Sequence, residues 1–393
     1  MTKRKLGIAV VGLGGAVGTT MVAGVELLKK GLIGKDGLPL ADVVANGLAA
    51  YEDIVFAGWD LYGEHLASAA ETHDVLTYKQ HVAVEDDLRK IKPWPAISNP
   101  KFVSNLTGVN ALAADSHREA VEKIREDLRE LRKACDSVVV INLASTEKLA
   151  EDGNEILNSL ADFEKALDDN SSHISPAMLY AYAAVGEGIP YGNFTPSVAA
   201  DISALIELAE KQSVPIAGKD GKTGQTFIKS VLAPALRSRA LKVQGWFSTN
   251  ILGNRDGLVL SNEDSLASKV KTKSSLLDDI LGYEVEDHIV DIRYYRPRGD
   301  NKEAWDNIDV TGFLGQPMQL KVNFLCRDSV LAAPLAIEIA RCLDLAGQRG
   351  EGGIQQQLSV FFKLPMAKTG KPEQAFHRQE EVLLNWLAQK NDA

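Results

Sequence analysis

Two glycine-bearing stretches and a few scattered lysines are the residues best suited to chemistry in this sequence. Gly12, Gly14, Gly15 and Gly18 stand in a G-x-G-G-x-x-G spacing directly after the apolar run Leu6–Val11. Glycines at such a junction let the backbone turn tightly and bring N–H groups against a pyrophosphate at a helix start. The last glycine falls one residue later than in the commonest fingerprint. Further on, Gly218–Lys219–Asp220–Gly221–Lys222–Thr223 invites a P-loop reading, but the earlier glycine would have to stand at Ile216, and the motif fails. What survives is a strand–loop–helix whose Thr223–Gly224–Gln225–Thr226 turns backbone N–H groups outward, a generic phosphate cradle or an ordinary capped turn.

The lysines extend this. Lys269, Lys271 and Lys273 lie in Ser265–Leu281, a segment with helical periodicity, and Lys269 and Lys273 share one face. Like charges at that spacing cost a helix roughly 0.2–0.5 kcal/mol, which an anion bound between them would offset. The plainer alternative is a solvated basic face balanced by Asp278 and Asp279. Lys302 follows Asp300 at a strand end. Lys363 is a lone cation in Phe361–Phe362–Lys363–Leu364–Pro365, so its amine either reaches solvent or is held in a pocket. Asp328 and Ser329 precede an apolar helix, where a carboxylate and a hydroxyl also serve as simple caps. The Arg298–Gly299–Asp300 tripeptide is read as chance. His65, His73, His81, His117, His173, His288 and His377 are scattered, with no metal motif and no Ser-His-Asp arrangement.

These residues need a scaffold, and the bulk numbers bound it. The chain has 393 residues, 45% apolar and 24% charged, with a net charge of −10. That fits a globular enzyme of two or three domains and argues against a general nucleic-acid or anionic-membrane surface. Cys135, Cys326 and Cys342 form no paired framework, which suits a reducing cytoplasm. Lys3–Arg4–Lys5 precedes a charge-free run up to Glu26, but its glycines make a poor apolar helix, so a targeting segment is not expected.

Ile54–Ala57 and Ser137–Ile141 are short apolar runs of the kind buried parallel strands require, and Ser116–Ala134 reads as a charged helix between them. Asp60 is then the natural partner of an adenosine ribose. It lies about twice the usual ~20 residues beyond the glycines, a delay that the insertion Leu32–Tyr51 explains. Ser197–Gln212 is read as a helix, Val214–Ala217 as a strand, Gly218–Thr226 as a loop and Phe227–Arg239 as a helix. Strands over Leu241–Phe247, Ile289–Tyr295 and Gln319–Leu325 follow, then helices Leu331–Gly347 and Gln374–Gln389. The expected architecture is α/β: a doubly wound, Rossmann-like sheet in residues 1–239, a strand-rich α/β domain in 240–327, and a return to the first domain in 328–393.

In order along the chain, these segments resemble the myo-inositol-1-phosphate synthase family, in a short prokaryotic-type form. The resemblance rests on Gly12–Gly18, Gly58–Trp59–Asp60, Leu143–Ala144–Ser145–Thr146–Glu147, Gly224–Gln225–Thr226, Leu252–Gly253–Asn254–Arg255–Asp256–Gly257 and Ser268–Ser275. Gly299–Asp300–Asn301–Lys302, Asp328–Ser329 and Phe362–Lys363–Leu364–Pro365 complete it. Ala16–Val17 replace the asparagines of eukaryotic members, and Thr223 stands where serine is usual.

The resemblance implies D-glucose 6-phosphate as substrate, 1L-myo-inositol 1-phosphate as product and NAD as a cofactor regenerated every turnover. It implies Lys269, Lys273, Lys302 and Lys363 as catalytic ammoniums. Gly12, Gly14, Gly15, Ala16, Val17, Asp60, Ala144, Ser145, Thr195, Asp220, Asp256, Asp328 and Ser329 would hold the cofactor. Thr223, Gly224, Gln225, Thr226, Asn254 and Lys273 would hold the substrate phosphate. A cytoplasmic homotetramer assembled through the second domain is the family expectation, with no nucleic acid or membrane partner, and dependence on a divalent metal or ammonium is left open. Two other classes fit the glycine loop: an NAD-dependent dehydrogenase of a phosphorylated sugar, and a non-catalytic NAD-binding protein.

Overall fold

A computed structural model of the chain describes residues 4–103, 108–148, 155–253 and 276–389. Leu6–Val11 (β1) is buried at all six positions, as a strand covered on both faces must be. Alternate side chains serve opposite cores: Ile8 and Val10 pack on one face, Ala9 and Val11 on the other. β1 pairs in parallel with Ile54–Asp60 (β2) on one side and Ser137–Asn142 (β4) on the other. Trp94–Pro95 (β3) extends the β2 side. Tyr191–Asn193 (β5), Pro215–Gly218 (β6) and Gly353–Ile354 (β11) extend the β4 side, giving seven parallel strands in the order β11-β6-β5-β4-β1-β2-β3. The order reverses between β1 and β4, and such a switch opens a crevice beyond the strands' carboxyl ends.

Helices Ala16–Lys29 and Asp328–Gln348 cover one face of this sheet, through Met21, Val22, Val25, Ile339 and Leu343. His117–Ala134, Pro176–Gly186 and Ser203–Lys211 cover the other. The insertion between the glycine loop and Asp60 is anchored to the long helix. Tyr51 Oη donates to Glu338 Oε1 at 2.5 Å, and the Arg341 guanidinium donates to Ala49 O at 2.7 Å while stacking 3.9 Å above the Tyr51 ring. Among the described residues, no helix is long and apolar enough to cross a membrane.

A second sheet, in the order β10-β9-β7-β8, is built from Lys242–Leu252 (β7), Asp287–Tyr294 (β8), Asn301–Thr311 (β9) and Pro317–Arg327 (β10). β9 is antiparallel to both neighbours, and β7 runs parallel to β8. Its inner face packs Val243, Trp246, Ile308 and Val310 against Ala233 and Leu236 of helix Gly224–Ser238 and against Leu277, Ile280 and Leu281. Its outer face leaves Phe247, Ile289 and Leu325 exposed.

Several boundaries differ from the expectation. The helix expected over Ser197–Gln212 begins only at Ser203, because Ser197–Ile202 is a turn in which Asp201 Oδ1 accepts the Ala199 N–H. The helix expected from Phe227 begins at Gly224, and the one expected from Leu331 begins at Asp328. In both cases the polar residues taken for a preceding loop form the first turn. β3, β5, β9 and β11 were not anticipated. Residues 276–281 of the expected helix Ser265–Leu281 are helical, and its earlier part, with Lys269, Lys271 and Lys273, lies outside the described residues.

Candidate active site

A cleft of about 640 Å³ runs along the carboxyl ends of the parallel strands to the inner face of the second sheet. The glycine loop forms one end. Gly12 has φ +87°, and a Cβ there would press on the Ala144 backbone at 3.1 Å, so the turn needs glycine. At Gly18 a Cβ would lie 2.4 Å from Leu13 O. Gly15 precedes helix Ala16–Lys29 and supplies no side-chain cap, which leaves first-turn N–H groups for an anion. Asp60, ending β2, accepts the Gly14 N–H at 2.8 Å and the Tyr62 N–H at 2.9 Å. Loop, helix start and carboxylate together match the shape and polarity of a dinucleotide.

Gly12, Gly14, Gly15, Ala16, Val17, Asp60, Ala144, Ser145, Thr195, Asp220, Asp328 and Ser329 all line this cleft. Asn142 Oδ1 accepts the Ala144 N–H at 3.1 Å, and Thr195 Oγ1 donates to Asn193 Oδ1 at 2.9 Å, so buried asparagines at two strand ends shape the loops that follow.

The other end belongs to helix Gly224–Ser238. Thr223, Gln225 and Thr226 line the cleft. Gly224 sits between them at φ +32°, where a Cβ would lie 3.9 Å from Lys302 Nζ. Lys302, at the start of β9, is held by Asp328 at 3.4 Å, and Thr223 Oγ1 donates to the same Asp328 Oδ1 at 3.2 Å. Lys363 Nζ donates to Asp220 Oδ1 at 2.6 Å, and its own backbone N–H donates to Asp220 O at 2.6 Å. Of the two fates open to Lys363, it takes the pocket. Burial alone would raise the Asp328 carboxyl, but Lys302 and Lys363 together hold it below the usual carboxylate range. Two ammoniums thus face one carboxylate across a helix N-terminus.

Asn254, Asp256, Lys269 and Lys273 lie outside the described residues. No group of three or more His, Cys, Asp or Glu side chains among the described residues is placed to hold a metal ion.

Other residues of the site escaped the sequence reading. His73 Nε2 meets Gly14 O at 2.8 Å. Glu147, quoted only as a motif position, lines the cleft and accepts the Ala177 N–H at 2.9 Å; burial pushes its carboxyl up to about 7. Lys229 also lines the cleft. Its Nζ donates to His288 Nε2 at 2.7 Å, and burial brings the amine down to about 8 against the opposing pull of Asp306. Lys222 is buried on the far side of the cradle against Gln379 and the Phe376 ring of the C-terminal helix, and burial lowers its amine to about 7. One signal was available: Lys229 stands four residues after Gln225 and three after Thr226, on the same helical face.

Comparison with known proteins supplies the context for this geometry. A family model described as myo-inositol-1-phosphate synthase matches residues 34–388, starting after the glycine loop. Inositol-3-phosphate synthase 1 of Bacteroides thetaiotaomicron is 44% identical over 92% of this chain and 90% of its own. Isozyme 1 of the Arabidopsis thaliana synthase is 31% identical over 97% of this chain and 84% of its own. The crystal structure of inositol-3-phosphate synthase from Caenorhabditis elegans superposes with a TM-score of 0.89 at 26% identity, over 98% of this chain and 86% of its own. A myo-inositol-1-phosphate synthase-related protein from Thermotoga maritima gives 0.82 at 26% identity, over 98% and 99%.

Proposed function

The chain belongs to the myo-inositol-1-phosphate synthase family, and from that premise we propose how its cleft divides the work. It is an NAD-binding enzyme that converts glucose 6-phosphate to an inositol phosphate. Gly12, Gly14, Gly15, Ala16, Val17 and Asp60 would hold the adenosine and pyrophosphate. Ala144, Ser145, Thr195, Asp220, Asp328 and Ser329 would frame the nicotinamide end, together with Asp256. The amides of Thr223, Gly224, Gln225 and Thr226, with Lys273 and Asn254, would hold the substrate phosphate.

The chemistry that bound NAD would supply is a hydride acceptor for C5 of the sugar and a hydride donor after ring closure. A ketone at C5 acidifies the C6–H, and the resulting enolate attacks the C1 aldehyde. Every stage gathers negative charge on oxygen. Fixed ammoniums in a water-poor cleft stabilise that charge and exchange protons with it. Lys302 and Lys363 would do this at C5, C1 and C6 together with Lys269, while Asp328 and Asp220 hold the two amines in place. The observation that carries the proposal is that Lys302 and Lys363, each against a carboxylate, share one cleft with the Gly12–Gly15 turn.

We further propose a division at 239/240 and 327/328, cytoplasmic residence, and a homotetramer built on the second sheet, whose exposed Phe247, Ile289 and Leu325 favour burial against another copy. Incubation with glucose 6-phosphate and NAD+ tests the reaction. A non-reducing inositol phosphate should form without stoichiometric NADH. Steady NADH accumulation would instead mark a sugar-phosphate dehydrogenase.

A further inference from the structure

Behind the phosphate cradle lies a chain of buried polar groups with only one consistent direction. Asp306, on β9, is 0% exposed. Its Oδ1 accepts from Trp246 Nε1 at 2.7 Å, Ser248 Oγ at 2.7 Å and Gln225 Nε2 at 3.2 Å. The Trp246 indole N–H can only donate, so the Oδ1 that it shares with Ser248 and Gln225 is an acceptor. Gln225 must therefore turn its NH2 toward Asp306, which turns its carbonyl the other way. That carbonyl accepts from Asn250 Nδ2 at 2.5 Å. Asn250 in turn has its NH2 committed, which leaves Oδ1 as its remaining group. Asn250 is 2% exposed and lines the cleft, and Oδ1 has no hydrogen-bond partner among the described residues.

A buried acceptor left open at a binding cleft calls for a donor from the ligand. A phosphate, rich in lone pairs, is the wrong partner, and a sugar hydroxyl is the right one. We propose that Asp306 is a positioning residue that sets the direction of the Gln225–Asn250 amide chain, so that Asn250 offers an acceptor to one hydroxyl of the substrate. This deepens the glucose 6-phosphate reading and rests on it. It also leaves the Gln225 backbone N–H for the phosphate, since the side-chain carbonyl and one side-chain N–H are taken by Asn250 and Asp306.

Asp306→Leu removes the constraint, because no acceptor then pins the Gln225 NH2 and both amides can turn over; Asp306→Asn would keep it, its carbonyl still taking the donor-only Trp246 N–H. The test compares glucose 6-phosphate with its 2-, 3- and 4-deoxy analogues in wild type, Asp306→Leu and Asn250→Ala. In wild type, loss of one hydroxyl should lower kcat/KM by about tenfold or more, and in both variants that loss should shrink to about threefold or less. Gln225→Met, which cuts the chain at its middle and leaves Asp306 intact, should behave likewise and serves if Asp306→Leu folds poorly by thermal melting. A merely structural role would lower activity on all four sugars alike. Full discrimination retained in folded Asp306→Leu or Gln225→Met, or wild type indifferent to all three deletions, overturns the proposal. Failure of wild type to turn over glucose 6-phosphate would instead strike the functional reading.

Discussion

Two helices begin at the same cleft, and they are equipped differently. Ala16–Lys29 starts at an uncapped glycine turn with one carboxylate, Asp60, bonded to the loop. Gly224–Ser238 starts among Lys302, Lys363, Asp220 and Asp328, with Lys229 one turn further in. All three lysines among the described residues of the cleft wall gather at this second start. A pyrophosphate keeps its charge through a turnover, so fixed N–H dipoles are enough to hold it. A sugar whose oxygens gain and lose charge needs groups that carry protons. On the proposed reading the first start is a holder and the second a reactor.

The largest expected effects fall on that division. Lys363→Ala or Lys302→Ala should lower product formation by on the order of 10³-fold and leave the NAD+ Kd, by titration calorimetry, within about twofold. Asp60→Ala should do the reverse. Its NAD+ Kd should rise about tenfold, for loss of a charge-assisted partner, while turnover at saturating NAD+ stays within a few-fold of wild type. Lysine variants that lose NAD+ binding, or an Asp60 variant that is catalytically dead at saturation, would erase the distinction.

A smaller effect sharpens it through stability. Glu147, on the cofactor side, has its carboxyl raised from 4.5 to about 7. The folded state therefore holds an extra proton between those values, and stability falls as pH rises through that window. Lys222, beneath the second helix start, has its amine lowered from 10.5 to about 7. There the unfolded state holds the extra proton, and stability rises with pH from about 7 to 10.5. Urea midpoints at pH 5, 7 and 9 should show the fall removed in Glu147→Gln, on the order of 3 kcal/mol in all, and the rise removed in Lys222→Met. Unchanged slopes would mean that these groups ionise in the folded protein as they do in water.

In the parallel sheet, β1, β2, β4 and β6 were legible because they are short apolar runs, and the glycine turn because only glycine fits at Gly12, whereas β3, β5 and β11 are two or three residues long and carry no such run. Asp60 was found despite its displacement because the insertion had a visible extent, although its anchor, Glu338 with Arg341, showed no signal in the sequence. β9 was missed for the opposite reason. Its inward row runs Lys302, Ala304, Asp306, Ile308, Val310, and a lysine and a carboxylate on a buried face look like a loop until the donors from Trp246, Ser248 and Gln225 are seen. Polar residues at Gly224–Thr226 and Asp328–Ser329 likewise disguised two helix starts, because first turns that bind anions or lysines are not written in helix-forming residues. Lys229 and His288 are distant in sequence, and only the packing of the helix on the second sheet brings them together.

At the centre of the proposed function, oxidation and re-reduction of a single sugar occur at this cleft before anything leaves. Glucose 6-phosphate carrying deuterium at C5, turned over with NAD+ and analysed by mass spectrometry, tests it most directly. The deuterium should be retained in the inositol phosphate, with only a catalytic trace in NADH. Deuterium accumulating in the nicotinamide pool in step with substrate loss would contradict it.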